Sequence, residues 1–533
     1  MTEFLFIDSQ DDQLQNLALQ RRKKEFVQKA RYRKKRLEAI GRMRSSTLAL
    51  RDRLPLAYVS LKLDRVEPGS TTKSRPDGSS AEAGSSGTDT PEPEAPQIIP
   101  VVNFGSPRGL SRDGFVDPFS TTAFPMTGSM DSFFHQLRHF TMPGAYPVAQ
   151  SRMTAWWWQR GVSQPVILLA LLVSAGSHQI AMVSLHNRPS RYLQQSVKEY
   201  LRLRGNMIRI LNGLLGDPVT AKSAVLIVAS LRTIEAIAGN VEAAAAHTKG
   251  LEALIELNGG LEAQDHRAQS EIYHGDMLNA ALTSTLPIQS PTATWRSEIL
   301  REGQIFHSTS KIIAGFGNRF KKDLSQLSCL GTSFFAAPWY SGLEDNMKNF
   351  LQWSQRLIQY YEIARLEISI TAESDNDLFL LLEHQLMSIR YTPKLSASYT
   401  ISDLLNEPLR VTLLIYLNAC IWRFRVFPIM KYVVRPLQEN LLSNATAPIS
   451  ILHSIKRTAP DVLFWMLFIG GVASRGYHEH SWFVAQLVEL TFHQGICDWD
   501  AAQEILHGFF YMDHPGQPGG KELWEEVEAL RPE

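Results

Sequence analysis

The sequence predicts an all-α protein: stacked antiparallel helical hairpins forming one large helical domain, with a disordered basic N-terminal arm and linker before it. Three observations carry this. The stretch from Asp217 to Leu261 reads as two capped helices joined by a tight turn. Apolar runs at 165–185, 408–427 and 463–506 are longer than strands usually are. No β-rich region accompanies them.

The chain of 533 residues is 44% hydrophobic and 20% charged, which suits a soluble core with polar appendages. A formal net charge of +1 conceals a basic concentration near the N-terminus. The opening residues carry Glu3, Asp8, Asp11 and Asp12 where a secretory leader is basic, and the apolar run 4–7 is too short for one. From Arg21 to Arg44, about a dozen Lys and Arg stand against Glu25 and Glu38. Two clusters, Arg21, Arg22, Lys23, Lys24 and Arg33, Lys34, Lys35, Arg36, suit a bipartite nuclear import signal or contact with DNA phosphates. A solvated basic helix is the plainer reading of the same residues. A leucine-zipper basic region is rejected, because no apolar heptads follow and Pro55 interrupts the chain.

Residues 1–65 therefore form the basic arm. Residues 66–115 are a Ser/Gly/Pro-rich linker that buries too little apolar surface to offset chain entropy. Ser106-Pro107 and Thr90-Pro91 in it are phosphate-acceptor pairs of a kind that recurs by chance. The helical domain is expected over 116–533, with order from Asp117 and a first helix over 130–140. Pro165 to Leu185 reads as a central core helix, since Ser174, Ser177, His178 and Gln179 interrupt it short of the roughly 20 apolar residues of a membrane span. Tyr192, Val197, Leu201, Ile208 and Leu211 are the expected apolar face of the next helix.

In the central hairpin, Asp217 and Pro218 suit a helix start, and Ala224 to Leu231 is apolar apart from Ser230. Gly239-Asn240 breaks that helix, Asn240 caps the second, and Glu242 favours its positive end. Ala243, Ala246, Gly250 and Ala253 make a small-residue stripe expected to let a neighbouring helix approach closely. Leu251, Leu254 and Ile255 form an apolar edge beside it, and Asn258-Gly259-Gly260 stops the helix. The stretch 265–301, with Pro287 and Pro291, is expected to be a surface connection with short helices. Helices are expected again over 343–370, 376–390 and 408–427.

Chemical motifs are few. Cys329, Cys420 and Cys497 are too scattered for a disulfide framework or a six-cysteine zinc cluster. Neither a GxGxxG nor a GxxxxGK[ST] phosphate loop nor a GxSxG elbow occurs in a suitable setting, so no cofactor and no enzyme activity are expected. His478-Glu479-His480 with His493 and Cys497 is the best metal candidate, although its spacing matches no known ligand pattern. Hydrogen-bonding histidines at a loop end explain it more cheaply, and no metal site is assigned. His247 reads as a hydrogen-bonded histidine at a helix interface, and Cys420 as a core residue.

The pattern GN-x-EAA-xx-H-xx-GL-xx-LI-xxx-GGL, from Gly239 to Leu261, resembles the fungal-specific transcription factor domain family. So do the entry segment from Asp117 to Phe140 and the run holding Trp465, Gly470, Gly471, Trp482, Gly495, Ile496 and Trp499. In that family the helical domain usually follows a two-zinc, six-cysteine cluster, which the cysteine count rules out here. The resemblance implies a nuclear transcription regulator whose partners are transcription-associated proteins or another regulator subunit. DNA contact through the basic arm and a homodimer remain open, and no membrane is expected. The alternatives are an interaction scaffold outside transcription and a helical protein that binds a small metabolite. A tetratricopeptide array is ranked lower, because nothing recurs at its period of about 34 residues.

Overall fold

A computed structural model describes residues 128–184, 191–216, 221, 224–302, 326–366, 371–391, 400–443, 450–512 and 519–531. These residues are helical, with no strand among them. The basic arm and the linker, including Arg21, Arg22, Lys23, Lys24, Arg33, Lys34, Lys35 and Arg36, lie outside the described residues. So do Asp217 and Pro218.

The first layer comprises α1 (Gly128–Gln136), α2 (Met142–Ala145), α3 (Gln150–Ser163), α4 (Pro165–Ser184) and α5 (Arg191–Leu215). A π-helical turn, Leu137–Thr141, joins α1 to α2. Helix α4 is the core helix expected, and α1, α3 and α5 pack around it. It is apolar enough to cross a bilayer, yet 67% of its most apolar window is buried inside the protein. The face of α5 is not the expected one. Leu201 is 56% exposed, and Leu203, Met207 and Leu211 are buried instead, at the four-residue spacing of a single helix stripe.

The hairpin follows as α6 (Ala224–Ile237) and α7 (Val241–Leu257). Gly239 takes φ +76°, and Asn240 caps α7 by accepting from the Ala243 N–H at 3.3 Å. Gly259 and Gly260 end α7 with φ of +89° and +87°. The small-residue stripe, however, does not pack. Ala246, Gly250 and Ala253 are exposed and Ala243 is half-buried, while Ala244, Thr248, Leu251, Leu254 and Ile255 make the buried face. A Cβ built on Gly250 meets nothing within 4 Å. The apolar edge was the contact, and the stripe lies one residue round the helix from it. Gly250→Ala therefore raises stability by up to about 1 kcal/mol, the full helix-propensity gain of an open site. Denaturant unfolding checks this, and an unchanged or lowered midpoint contradicts it.

The stretch expected to be a surface connection is the largest surprise. It contains α8 (His266–Thr283), buried along most of its length, and then α9 (Ala293–Glu302). Helix α8 packs on α6 and bridges it to later helices. Next come α10 (Thr332–Ala336), α11 (Asp345–Leu366), α12 (Asp375–Met387) and α13 (Ile401–Tyr416). Helix α13 starts earlier than the expected Pro408. A capping box between Thr400 and Asp403 nucleates it, and Pro408 sits inside the helix. A second π-helical turn, Leu417–Ile421, continues α13. The combined apolar span has 89% of its window buried.

The last layer holds α14 (Ile429–Leu442), α15 (Ile451–Thr458), α16 (Pro460–Ala473), α17 (His480–Gln494), α18 (Trp499–Gly508) and α19 (Gly520–Leu530). Trp465 is fully buried and donates its indole N–H to the Phe510 carbonyl at 3.0 Å. At Gly470 a Cβ would collide with the Phe483 ring, and at Gly471 it would reach Leu523 at 2.8 Å. That glycine pair is a true close approach, where α16 meets α17 and α19.

The buried residues form two apolar cores. One gathers α1, α4, most of α6 and the start of α8, and the other gathers Ala236, the rest of α8 and the later helices. The α6–α8 pair contributes to both and is the seam between them.

Candidate functional site

At this seam lies a cavity of about 100 Å³. Leu137, Thr141, Met142, Tyr146 and Trp157 line one side, and α4 adds Leu171, Ser174 and His178. Helix α6 contributes Ser230, Thr233 and Ile234, α8 contributes Glu271 and His274, and the loop after α13 closes it with Trp422, Arg423, Phe424 and Phe427. A second cavity of about 30 Å³ shares Tyr146, Trp157, Glu271, His274 and Trp422 with the first. A concave, mostly apolar space with a few convergent polar groups is the usual form of a small-molecule site.

The backbone around it is unusual. Both π-helical turns end there: the first supplies Leu137 and Thr141, and the second is closed by the Trp422 N–H donating to the Leu417 carbonyl at 2.8 Å. Such turns are rare in proteins and concentrate at functional sites. Arg423 follows with φ +56°, left-handed backbone that a non-glycine residue adopts only when its surroundings enforce it.

The polar groups are few and buried. The His274 ring stacks on Trp422 at 5.1 Å and on Phe424 at 5.7 Å, and its Nε2 is buried without a hydrogen-bond partner. Burial pushes its pKa down to about 4, so the ring is neutral at pH 7. His178 is likewise pushed down to about 4 by burial, and its Nδ1 hydrogen-bonds the Thr141 hydroxyl at 3.0 Å. Burial raises the Glu271 carboxyl above the usual range, opposed by Thr233 and by the charge of Arg232. The Thr233 hydroxyl gives its one proton to the Ala229 carbonyl at 3.0 Å. Its contact with Glu271 is therefore one in which a protonated carboxyl donates.

Behind this wall, Arg232 and Asp276 are each 1% exposed and lie 3.9 Å apart. Arg232 donates to the Ile272 carbonyl, and Asp276 accepts the Gln289 N–H at 2.7 Å. Glu383 holds Trp422 in place, accepting its indole N–H at 3.0 Å and the Asn418 amide at 2.8 Å. Burial pushes Glu383 up to about 7.

The residues singled out from the sequence are elsewhere. His478 is 89% exposed, whereas His480 pairs with Glu526 at 2.7 Å and with the Gly471 carbonyl at 3.0 Å. His493 sits 4.0 Å from Glu489, and the exposed Cys497 thiol donates to the Gly495 carbonyl at 3.3 Å. No group of three or more metal-ligating side chains comes together among the described residues. His247 departs from its expected role, because its Nε2 is buried without a hydrogen-bond partner. Cys420 is a core residue as expected, and burial pushes its thiol up to about 12. Sequence reasoning missed Glu271 and His274, which lie in the stretch taken for a surface connection. Their spacing of three, on one helix face, was the available signal.

No curated protein and no solved structure matches the sequence. The family model for the fungal specific transcription factor domain matches residues 130–508, which takes in nearly every helix described, both cores and the cavity between them. On that match, over more than half of its length, the chain belongs to the fungal specific transcription factor domain family.

Proposed function

We propose that the chain is a nuclear transcription regulator that works without a zinc cluster of its own. The observation that carries this reading is the family match over 130–508 in a chain that also bears the paired basic clusters at 21–24 and 33–36. In this reading residues 1–65 are the arm, 66–115 the linker and 116–533 the regulatory domain. The arm supplies import and an affinity for DNA phosphates that is blind to sequence. The helical domain acts by binding rather than by catalysis, and its partners are transcription-associated proteins or another regulator subunit. Three cysteines are half the number a six-cysteine cluster needs, so sequence-selective DNA contact comes from such a partner.

Replacing Lys23, Lys24, Lys34 and Lys35 with Ala in a fluorescent fusion is expected to abolish nuclear accumulation. Unchanged accumulation removes the import role of these clusters. Exclusion of the wild type from the nucleus points instead to an interaction scaffold in the cytoplasm. Chromatin occupancy of the tagged chain, mapped genome-wide, then tests the regulatory role itself.

A further inference from the structure

We propose that the cavity at the α6–α8 seam is a binding site for a small organic amine, with Glu271 receiving the ammonium group and the aromatic walls receiving an apolar body. The proposal does not depend on where in the cell the chain acts.

Three features of the site select this chemistry. The first is charge. Arg232 is the cation behind the wall, and it faces two carboxyl groups, Asp276 and Glu271, so one carboxylate is left without a counter-charge. Arg423 lines the cavity but directs Nη2 to the Tyr361 hydroxyl at 3.4 Å. A buried carboxylate in this position takes up either a proton or a cation. The second is the wall. Tyr146, Trp157, Trp422 and Phe424 present ring surface around the polar end, and ring faces attract an ammonium group. The buried His274 Nε2 has no partner and adds a further polar contact. The third is size. A space of about 100 Å³ is smaller than the ~150 Å³ apolar cavity that holds benzene, which limits the ligand to roughly five to seven non-hydrogen atoms. Sterols, nucleotides and peptides are all too large.

The two π-helical turns and the left-handed Arg423 converge on the same space. They give independent reason to regard it as a built site rather than a packing fault.

The test uses the full chain and two probes of one shape, cyclopentylamine and cyclopentanol, followed by calorimetry and thermal unfolding. Cyclopentylamine is expected to bind with a dissociation constant of ~0.1–10 mM, as its size permits. Cyclopentanol is expected to bind about ten- to a hundredfold more weakly, because it lacks the charge-assisted contact. Glu271→Gln should reduce amine binding to the level of the alcohol and leave the alcohol unaffected. Ser174→Met, which fills the cavity from α4 without touching Glu271, should abolish binding of both. It serves as the second arm if Glu271→Gln folds poorly. Equal affinity for the two probes, amine binding retained in either variant, or no amine binding in this range would each overturn the proposal.

Discussion

Arg232→Met is expected to lower the unfolding free energy by about 3–5 kcal/mol, the usual cost of leaving a buried charge without its partner. The side chain is 1% exposed, bonds the Ile272 carbonyl, and is the positive group facing Asp276 and Glu271. Asp276 and Glu271 already have carboxyl pKa values raised by burial, and Arg232 pulls both down. An acid whose folded pKa is raised favours the folded state while it is protonated. That contribution is complete below the unfolded value of about 4 and is lost as the pH rises through the folded value. Removing Arg232 raises both carboxyls further. The deficit of the variant is therefore full at neutral pH and shrinks in acid. Adding Asp276→Asn to Arg232→Met should recover part of the loss, since Asn still accepts the Gln289 N–H without bringing a charge. Denaturant titrations at pH 5 and pH 8 read both effects. A loss that does not vary with pH would show that Arg232 acts through packing alone.

Gly275→Ala is expected to cost about 1–3 kcal/mol, the overpacking range, despite the helix propensity that Ala brings. On α8 a Cβ at this position would lie 2.5 Å from the Thr233 hydroxyl and 2.9 Å from Arg232 Nη2. Neither neighbour yields readily, because Thr233 is bonded to the Ala229 carbonyl and Arg232 is buried. The same substitution at Gly250, in the open, should have the opposite sign. Measured side by side, the two variants locate the close helix crossing at α6–α8 rather than on the outer stripe of α7. If Gly275→Ala is as stable as wild type, the crossing is looser than its geometry indicates.

How far the sequence could be read depended on how local the chemistry was. The α6–α7 turn was legible because Gly239 and Asn240 do their work within a few residues of themselves. Helix α8 was not, because its polar side chains are satisfied by groups well along the chain. Gln269 accepts the Thr292 hydroxyl at 2.8 Å, Ser270 accepts the Trp295 indole at 3.0 Å, and Asp276 accepts from Gln289. A helix buried among such partners shows no apolar stripe and reads as surface. The stripe on α7 failed for a related reason. Small residues at spacings of three and four mark a face, but only the apolar residues beside them say which way it turns. The cavity could not be read at all. Its walls come from Leu137 through Phe427, and nothing in the intervening sequence says that these segments meet.

The π-helical turn at Leu417–Ile421 has a consequence for how this chain tolerates change in length. A wider turn holds one residue more than an α-helical turn would, so it is a place where the chain has an insertion already wound in. Deleting a single residue there, at Asn418 or Ala419, would leave the helix able to close in ordinary register. Everything beyond would swing by about 100°, the rotation of one helical residue. Trp422 and Phe424 would leave the cavity, His274 would lose the rings on which it stacks, and Glu383 would lose the indole it holds. At this point the length of the chain, more than the identity of any one side chain, decides which way the aromatic wall faces.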